Sequence, residues 1–476
     1  MDHFSPDHRS CALARWQLRH RGSSVPFGLT LVLLVAVHSR AQAYDFEVDA
    51  RTEANGYQLR VLERDGVSLI NRRRVTQYLG LRIFDLLPHQ QGSGPQPQLD
   101  IDLRMRFLTD FGAYARPPFS RKELRTDRFE LLFGALHGRN LLGDLLDFSL
   151  GRKLSFEMFD VFAFDGLWVR LRSRRLGLFV ESYFGQRVDR MQLFSVAVYD
   201  GDGTADEEGE FAPSFGAAVG IDGEQGFGLR ASYRGVISYR DGEPQRWAMQ
   251  QEALFFSLLW RPGALGAELA FASRYDLLLG VLSDVSAELS QQFGPHRVAL
   301  EYLASEPHFD GDSIFNVFAS DPFREFRLTY AVGWRRFRFA LRSGYQFVSV
   351  DGESPRDAVT ARLSGQWRTS RQDAQAELYL LSGLEQESQF GADLSYRLEL
   401  AWWCALDARL SLMQQHSADV DDLQRLGDLF SAALHVGGQL KLTQGVVLYL
   451  AIEDNISRLY HNAFRAIAVL DMRFAP

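Results

Sequence analysis

Between Phe326 and Phe347 the chain keeps a period of two, turns, and keeps it again. Phe326, Leu328, Tyr330, Val332 and Trp334 alternate with Arg327, Thr329, Ala331, Gly333 and Arg335. After Arg336, Phe337, Phe339, Leu341, Tyr345 and Phe347 alternate with Arg338, Ala340, Arg342, Gly344 and Gln346, Ser343 being the exception. Period two puts each set on one face of a strand. Nearly every segment of the chain repeats this pattern, and no helical segment is available to cover so many apolar faces. The arrangement that satisfies all of them is a single closed sheet with lipid outside and a polar lumen inside. The expected fold is therefore all-β: one transmembrane, antiparallel, up-and-down β-barrel.

Composition fits this reading. Hydrophobic residues make up 46% of the chain and the mean hydropathy is −0.17, values diluted by lumen-facing residues. No run is apolar and long enough to cross as a helix, which takes about 20 residues. Residues 1–43 read as a secretory signal. Arg9, Arg15, Arg19 and Arg21 form a basic start, Phe27 to Val37 an apolar stretch, and Ala41-Gln42-Ala43 a cleavage site. Residues 44–476 are then the barrel. Five Arg and two Asp leave with the signal, so 52 basic and 60 acidic residues become 47 and 58, a net charge of −11. An acidic exported chain argues against nucleic acid as a partner. Cys404 is left alone, so no internal disulfide is expected.

Turn lengths alternate along the chain. Short turns are expected at Asp222-Gly223-Glu224, Arg261-Pro262-Gly263, Gly294-Pro295, Arg335-Arg336, Arg368 to Arg371, Trp403-Cys404 and Thr443-Gln444-Gly445. Longer connections such as 304–324 and 414–424 lie between them. Short periplasmic turns and longer outside loops are the habit of bacterial outer-membrane barrels, and this rim rule gives 22 strands, within an even-numbered range of 18 to 22, with both termini periplasmic. Trp260, Trp334, Trp367 and Trp402 each stand beside a short turn, where an interfacial aromatic girdle belongs. The least regular stretch, 186–213, reads as one long outside loop whose apolar piece, Leu193 to Tyr199, folds back toward the lumen or the rim.

Strand parity assigns the lumen. Asp100, Asp102, Arg104 and Arg106 alternate with Leu99, Ile101, Leu103, Met105 and Phe107, and Asp393, Arg397 and Glu399 alternate with Leu394, Tyr396, Leu398 and Leu400. An Arg on the lipid face near the midplane costs about 2–4 kcal/mol, so these charges must point inward. Arg170, Arg172, Glu181, Arg327, Arg338 and Arg342 complete the inward set. Such charges either set a field that selects among solutes or pair with one another and fill the interior. In the acidic segment 200–208, Asp200, Asp202 and Asp206 space oxygen ligands as calcium loops do, without the Gly and terminal Glu of a full loop. No Gly-x-Ser-x-Gly elbow or His-Glu-x-x-His helix surrounds any of the seven mature histidines. The expectation is a non-enzyme without a cofactor.

Two segments carry a resemblance. The last strand, with Phe464, Ala466, Ala468, Leu470, Met472 and Phe474 on one face, resembles the C-terminal signature of bacterial outer-membrane proteins, although Ala475-Pro476 follows the aromatic residue. Gly151-Arg152-Lys153, followed by Phe164-Asp165-Gly166 and Leu167-Trp168-Val169-Arg170, resembles single-chain porins and the alginate-export family, with Lys153 where Gln is usual. That likeness spans about twenty residues. It implies a Gram-negative outer-membrane channel for passive passage of hydrophilic or anionic solutes, with Arg152, Lys153 and Arg170 near the path. The implied partners are membrane lipid, lipopolysaccharide, the barrel-assembly machinery and the solute itself. A closed or gated barrel with a structural or surface role is the alternative, and the sequence carries no signature of an oligomer interface.

Overall fold

A computed structural model of the chain describes residues 45–63, 66–87, 95–110, 127–157, 159–173, 175–188, 212–223, 226–240, 246–263, 266–306, 322–349, 356–383, 388–416, 429–457 and 463–475. The leader, the Leu193–Tyr199 piece and the acidic segment with Asp200, Asp202 and Asp206 lie outside the described residues.

The described residues form twenty-two strands, in chain order. The first seven are β1 (Asp45–Glu63), β2 (Gly66–Phe84), β3 (Gln98–Asp110), β4 (Asp127–Asn140), β5 (Leu146–Glu157), β6 (Asp160–Ser173) and β7 (Leu178–Arg187). Next come β8 (Pro213–Asp222), β9 (Phe227–Arg240), β10 (Arg246–Trp260), β11 (Ala267–Asp276), β12 (Val281–Phe293), β13 (His296–Ser305) and β14 (Phe323–Trp334). The last eight are β15 (Phe337–Val348), β16 (Arg356–Arg368), β17 (Gln372–Ser382), β18 (Ser388–Ala401), β19 (Cys404–His416), β20 (Leu429–Thr443), β21 (Val446–Ser457) and β22 (Ala463–Phe474).

Each strand pairs antiparallel with the next. β22 then returns to β1 through ten register pairs, from Val48↔Phe474 to Tyr57↔Arg465. The sheet is closed, as a barrel without edges requires. The even strand number puts both termini on one rim. On that rim the connections run from two to six residues, except for the 13 between Phe84 and Gln98. Every other long connection, up to 25 residues between β7 and β8, lies on the opposite rim. The short turns sit where expected, with Asp222, Arg368, Cys404 and Thr443 shifted from the turns into the adjoining strand ends.

The two faces of the wall differ as the period predicts. Phe326, Leu328 and Tyr330 are 50%, 53% and 43% exposed on the outside, with no second layer of the described residues over them. Their neighbour Glu325 points inward and is buried. Trp334 and Trp402 are exposed on the short-turn rim, Trp260 ends β10 there, and Trp367 stands one residue from the end of β16. Trp403 joins them on the same rim.

Candidate functional site: a hairpin inside the barrel

One hairpin departs from the wall. β4 and β5 share only five register pairs, Gly134↔Arg152 to Gly138↔Phe148, although both strands continue beyond them. The ladder stops where Gly151, Gly166 and Gly185 stand in register across β5, β6 and β7. Gly151 has φ 124, a backbone state that favours glycine. A Cβ on Gly166 would lie 2.2 Å from the Phe184 carbonyl oxygen and 2.5 Å from Gly185 Cα. The backbones approach so closely here that only glycine fits, and to leave β4 the hairpin must bend at this row.

Beyond the bend the β5–β6 hairpin enters the lumen. Glu157, at its tip, accepts hydrogen bonds from Arg230 Nη2 at 3.1 Å and Ser232 Oγ at 3.3 Å, both on β9. β5 and β9 are four strands apart, roughly 19 Å along the wall at about 4.8 Å per strand. Two side chains cannot span that distance from wall to wall. The tip must cross the interior to reach β9.

Two sets of contacts hold it there. The first is apolar: Phe162 and Phe164, 6% and 0% exposed, pack with Val236 and Ala212 and against Trp168 and Tyr183. The ring centroids of Phe164 and Tyr183 lie 4.7 Å apart. Buried Arg234 places its guanidinium 4.9 Å from both the Phe162 and Phe255 rings, tying hairpin to wall by cation–π contact. Lys153 Nζ sits over the Trp168 ring at 2.9 Å. The second set is ionic. Arg230 bridges Glu157 to Glu181 at 3.1 and 2.8 Å, Glu181 lies 3.7 Å from Arg170, and Arg170 also pairs with Asp222.

Because the face carrying Lys153, Phe162, Phe164 and Glu157 packs on the wall, the other face looks into the lumen. It carries Arg152, Phe156, Val161 and Asp165, with Phe156 71% and Val161 61% exposed. Arg152 donates from Nε and Nη2 to Asp165 at 2.7 Å each and from Nη1 to the Leu131 carbonyl on β4. The last bond spans the gap left where the hairpin parts from the wall.

Of the other eleven charges that strand parity assigns to the lumen, six take part in ion pairs among the described residues. Asp102 meets Arg82 at 3.2 Å, Arg104 faces Asp49 at 3.8 Å, and Arg106 pairs with Glu130. Asp100 accepts from the Asp85 backbone, and Arg172 reaches Asp144 and Asp147 beside the short turn 141–145. Across β13 to β15, Arg327 bonds Glu325 at 2.6 Å and nears Glu301 at 3.7 Å, while Arg342 nears Glu301 at 3.8 Å. Arg397 donates to Gln439 at 2.8 Å, Asp393 accepts from Ser411, and Glu399 is exposed toward the short-turn mouth. No carboxylate among the described residues pairs with Arg338, near that same mouth. The structure thus joins Arg170 to Glu181 beside the hairpin, pairs Arg152 with Asp165 on the hairpin's opposite face, and spreads the others around the wall.

Sequence reading missed Glu157, Arg230 and Arg234. The alternation Arg230-Ala231-Ser232-Tyr233-Arg234 carried the same parity signal as the ladders it did identify.

No protein-family model matches the chain, and no curated protein matches it in sequence. Among solved structures it is similar to OpdK of Pseudomonas aeruginosa with vanillate, at 12% identity and TM-score 0.42, covering 90% of this chain and 99% of that one. It is also similar to OccAB4 of Acinetobacter baumannii, at 11% identity and TM-score 0.43, covering 91% and 99%. OccK2 (OpdF) of Pseudomonas aeruginosa in complex with glucuronate stands at 11% and 0.42, covering 91% and 98%. The fold assignment rests on the strand ladders themselves.

Proposed function

We propose that the chain is a bacterial outer-membrane channel for passive passage of small hydrophilic solutes, anions among them, with the inward β5–β6 hairpin as its selective constriction. The observation that carries this reading is the hairpin itself. A barrel that served only as a scaffold would gain nothing from bending two strands out of its wall. Here the bend narrows a charged, water-compatible interior and presents Arg152, Asp165, Phe156 and Val161 to whatever passes. Paired ladders of both signs on the surrounding wall set a transverse field for a solute threading past. The long-loop rim faces outward on this reading, toward lipopolysaccharide, and residues 1–43 direct export before the assembly machinery inserts the barrel.

Planar-bilayer recording of the purified mature chain tests the proposal. Discrete conductance steps with a measurable ion preference are the expected result. A silent bilayer, with the barrel shown folded by heat-modifiable gel migration, would replace it with the closed-barrel reading.

A further inference from the structure

The short-turn rim between β14 and β17 carries a charge cluster that the lumen does not use. A two-residue hairpin turn favours Asn-Gly or a similar pair, because its central residues need positive φ. The β14–β15 turn is instead Arg335-Arg336, and Arg335 takes φ 53, a conformation that a long side chain adopts at a cost. The next turn on this rim is Thr369-Ser370-Arg371, and it lies alongside: the Arg368 backbone N–H donates to the Arg336 carbonyl at 2.9 Å.

Several basic residues on this rim have acidic partners. Arg261 pairs with Glu268 at 2.8 Å, Arg297 with Glu288 at 2.7 Å, and Arg368 Nε donates to Asp373 at 2.8 Å. Arg335, Arg336 and Arg371 are exposed, and no carboxylate among the described residues pairs with any of them. The aromatic girdle surrounds the cluster. Trp334 is 65% exposed, Phe337 39%, and the Arg335 guanidinium stands 5.9 Å from the Trp334 ring. Girdle rings mark head-group depth, so the three guanidiniums sit at the level of lipid phosphates. Their planar forks suit phosphate oxygens better than a compact ammonium would.

We infer that this sector of the rim seats the phosphate head groups of anionic phospholipids in the adjoining leaflet. Arginines at the surface explain a strained turn that Asn-Gly would relieve, and their position among the girdle rings favours a lipid over a soluble acidic partner.

The test uses the full mature barrel in nanodiscs of phosphatidylcholine doped with phosphatidylglycerol. The enrichment of phosphatidylglycerol in the lipid that stays with the protein is measured by mass spectrometry. The variant combines R335N and R336G, which supply a favoured turn sequence, with R371Q. Each surface arginine is worth about fivefold in attraction to anionic lipid, so the wild type should enrich phosphatidylglycerol and the triple variant should lose about a hundredfold of that preference. The loss should shrink as salt rises. Gel migration and single-channel conductance should be unchanged, since none of the three lines the lumen. Equal retention of both lipids by the wild type, or full retention of the preference by the folded variant, overturns the inference.

Discussion

Replacing Glu157 with Gln removes the charge that anchors the hairpin tip while keeping its shape. The carboxylate is largely buried and accepts from Arg230 and Ser232. A hydrogen bond to a charged group is worth about 1.5–3 kcal/mol. Arg230 keeps Glu181 at 2.8 Å and is itself only partly buried, so the lower end applies. A loss of about 1.5 kcal/mol multiplies the ratio of displaced to seated hairpin by roughly ten. The Phe162–Phe164 cluster still holds the seated state as the majority. Single-channel current should therefore keep its base level but step to larger conductance about ten times as often, with weaker ion preference during those steps. Current traces indistinguishable from wild type, in level and in step frequency, would refute the idea that the ionic network seats the constriction.

Three further outcomes test the same geometry. Gly166→Ala must push its Cβ into neighbouring backbone, which cannot give way, and should cost about 1–3 kcal/mol in urea unfolding from vesicles. Gly333→Ala, with nothing within 4 Å of its Cβ, should cost far less. Leu328→Arg, on the outer face, should lower stability by about 2–4 kcal/mol, whereas its inward neighbour Thr329→Arg should leave a folded barrel; equal costs would mean that the faces are misassigned. Arg338→Gln removes a lumen charge without a carboxylate partner and should shift the anion-to-cation permeability ratio toward cations by up to roughly fivefold, the weight of about 1 kcal/mol at 4 Å in water. An unchanged reversal potential would place Arg338 off the path.

Much of this architecture was legible in the sequence, because a barrel wall is a local pattern. Alternation gave the faces of β14 and β15, the tryptophans marked one rim, and turn lengths gave 22 strands. The hairpin was not legible, for two physical reasons. Alternation runs unbroken through Lys153, Leu154, Ser155, Phe156 and Glu157 even though the backbone has left the wall. Its cause is a row of three glycines, Gly151, Gly166 and Gly185, that become neighbours only once strand register is set. One signal was present: Val161-Phe162-Ala163-Phe164 is apolar on both faces, which an ordinary segment between lipid and water is not. The inward fold was instead expected of Leu193 to Tyr199, outside the described residues. The Gly151-Arg152-Lys153 and Phe164-Asp165-Gly166 segments that suggested a porin-like chain turn out to be the two sides of the bend.

The seam between β1 and β22 dictates how such a molecule can be made. Arg465 Nη2 reaches Asn55 Oδ1 at 3.2 Å across 410 residues of chain. Closing so long a loop costs about 3 kcal/mol more than closing a ten-residue hairpin, counting roughly 0.6 kcal/mol for each doubling. No partial seam repays that, since one or two register pairs return too little. Until several of the ten can form together, β1 presents a bare edge open to any passing strand. Synthesis must therefore finish while that edge is shielded, and the barrel gains its full stability in one late step. A lesion in β22 would act on the nascent chain before it acted on the pore, by leaving both edges of the sheet exposed to aggregation.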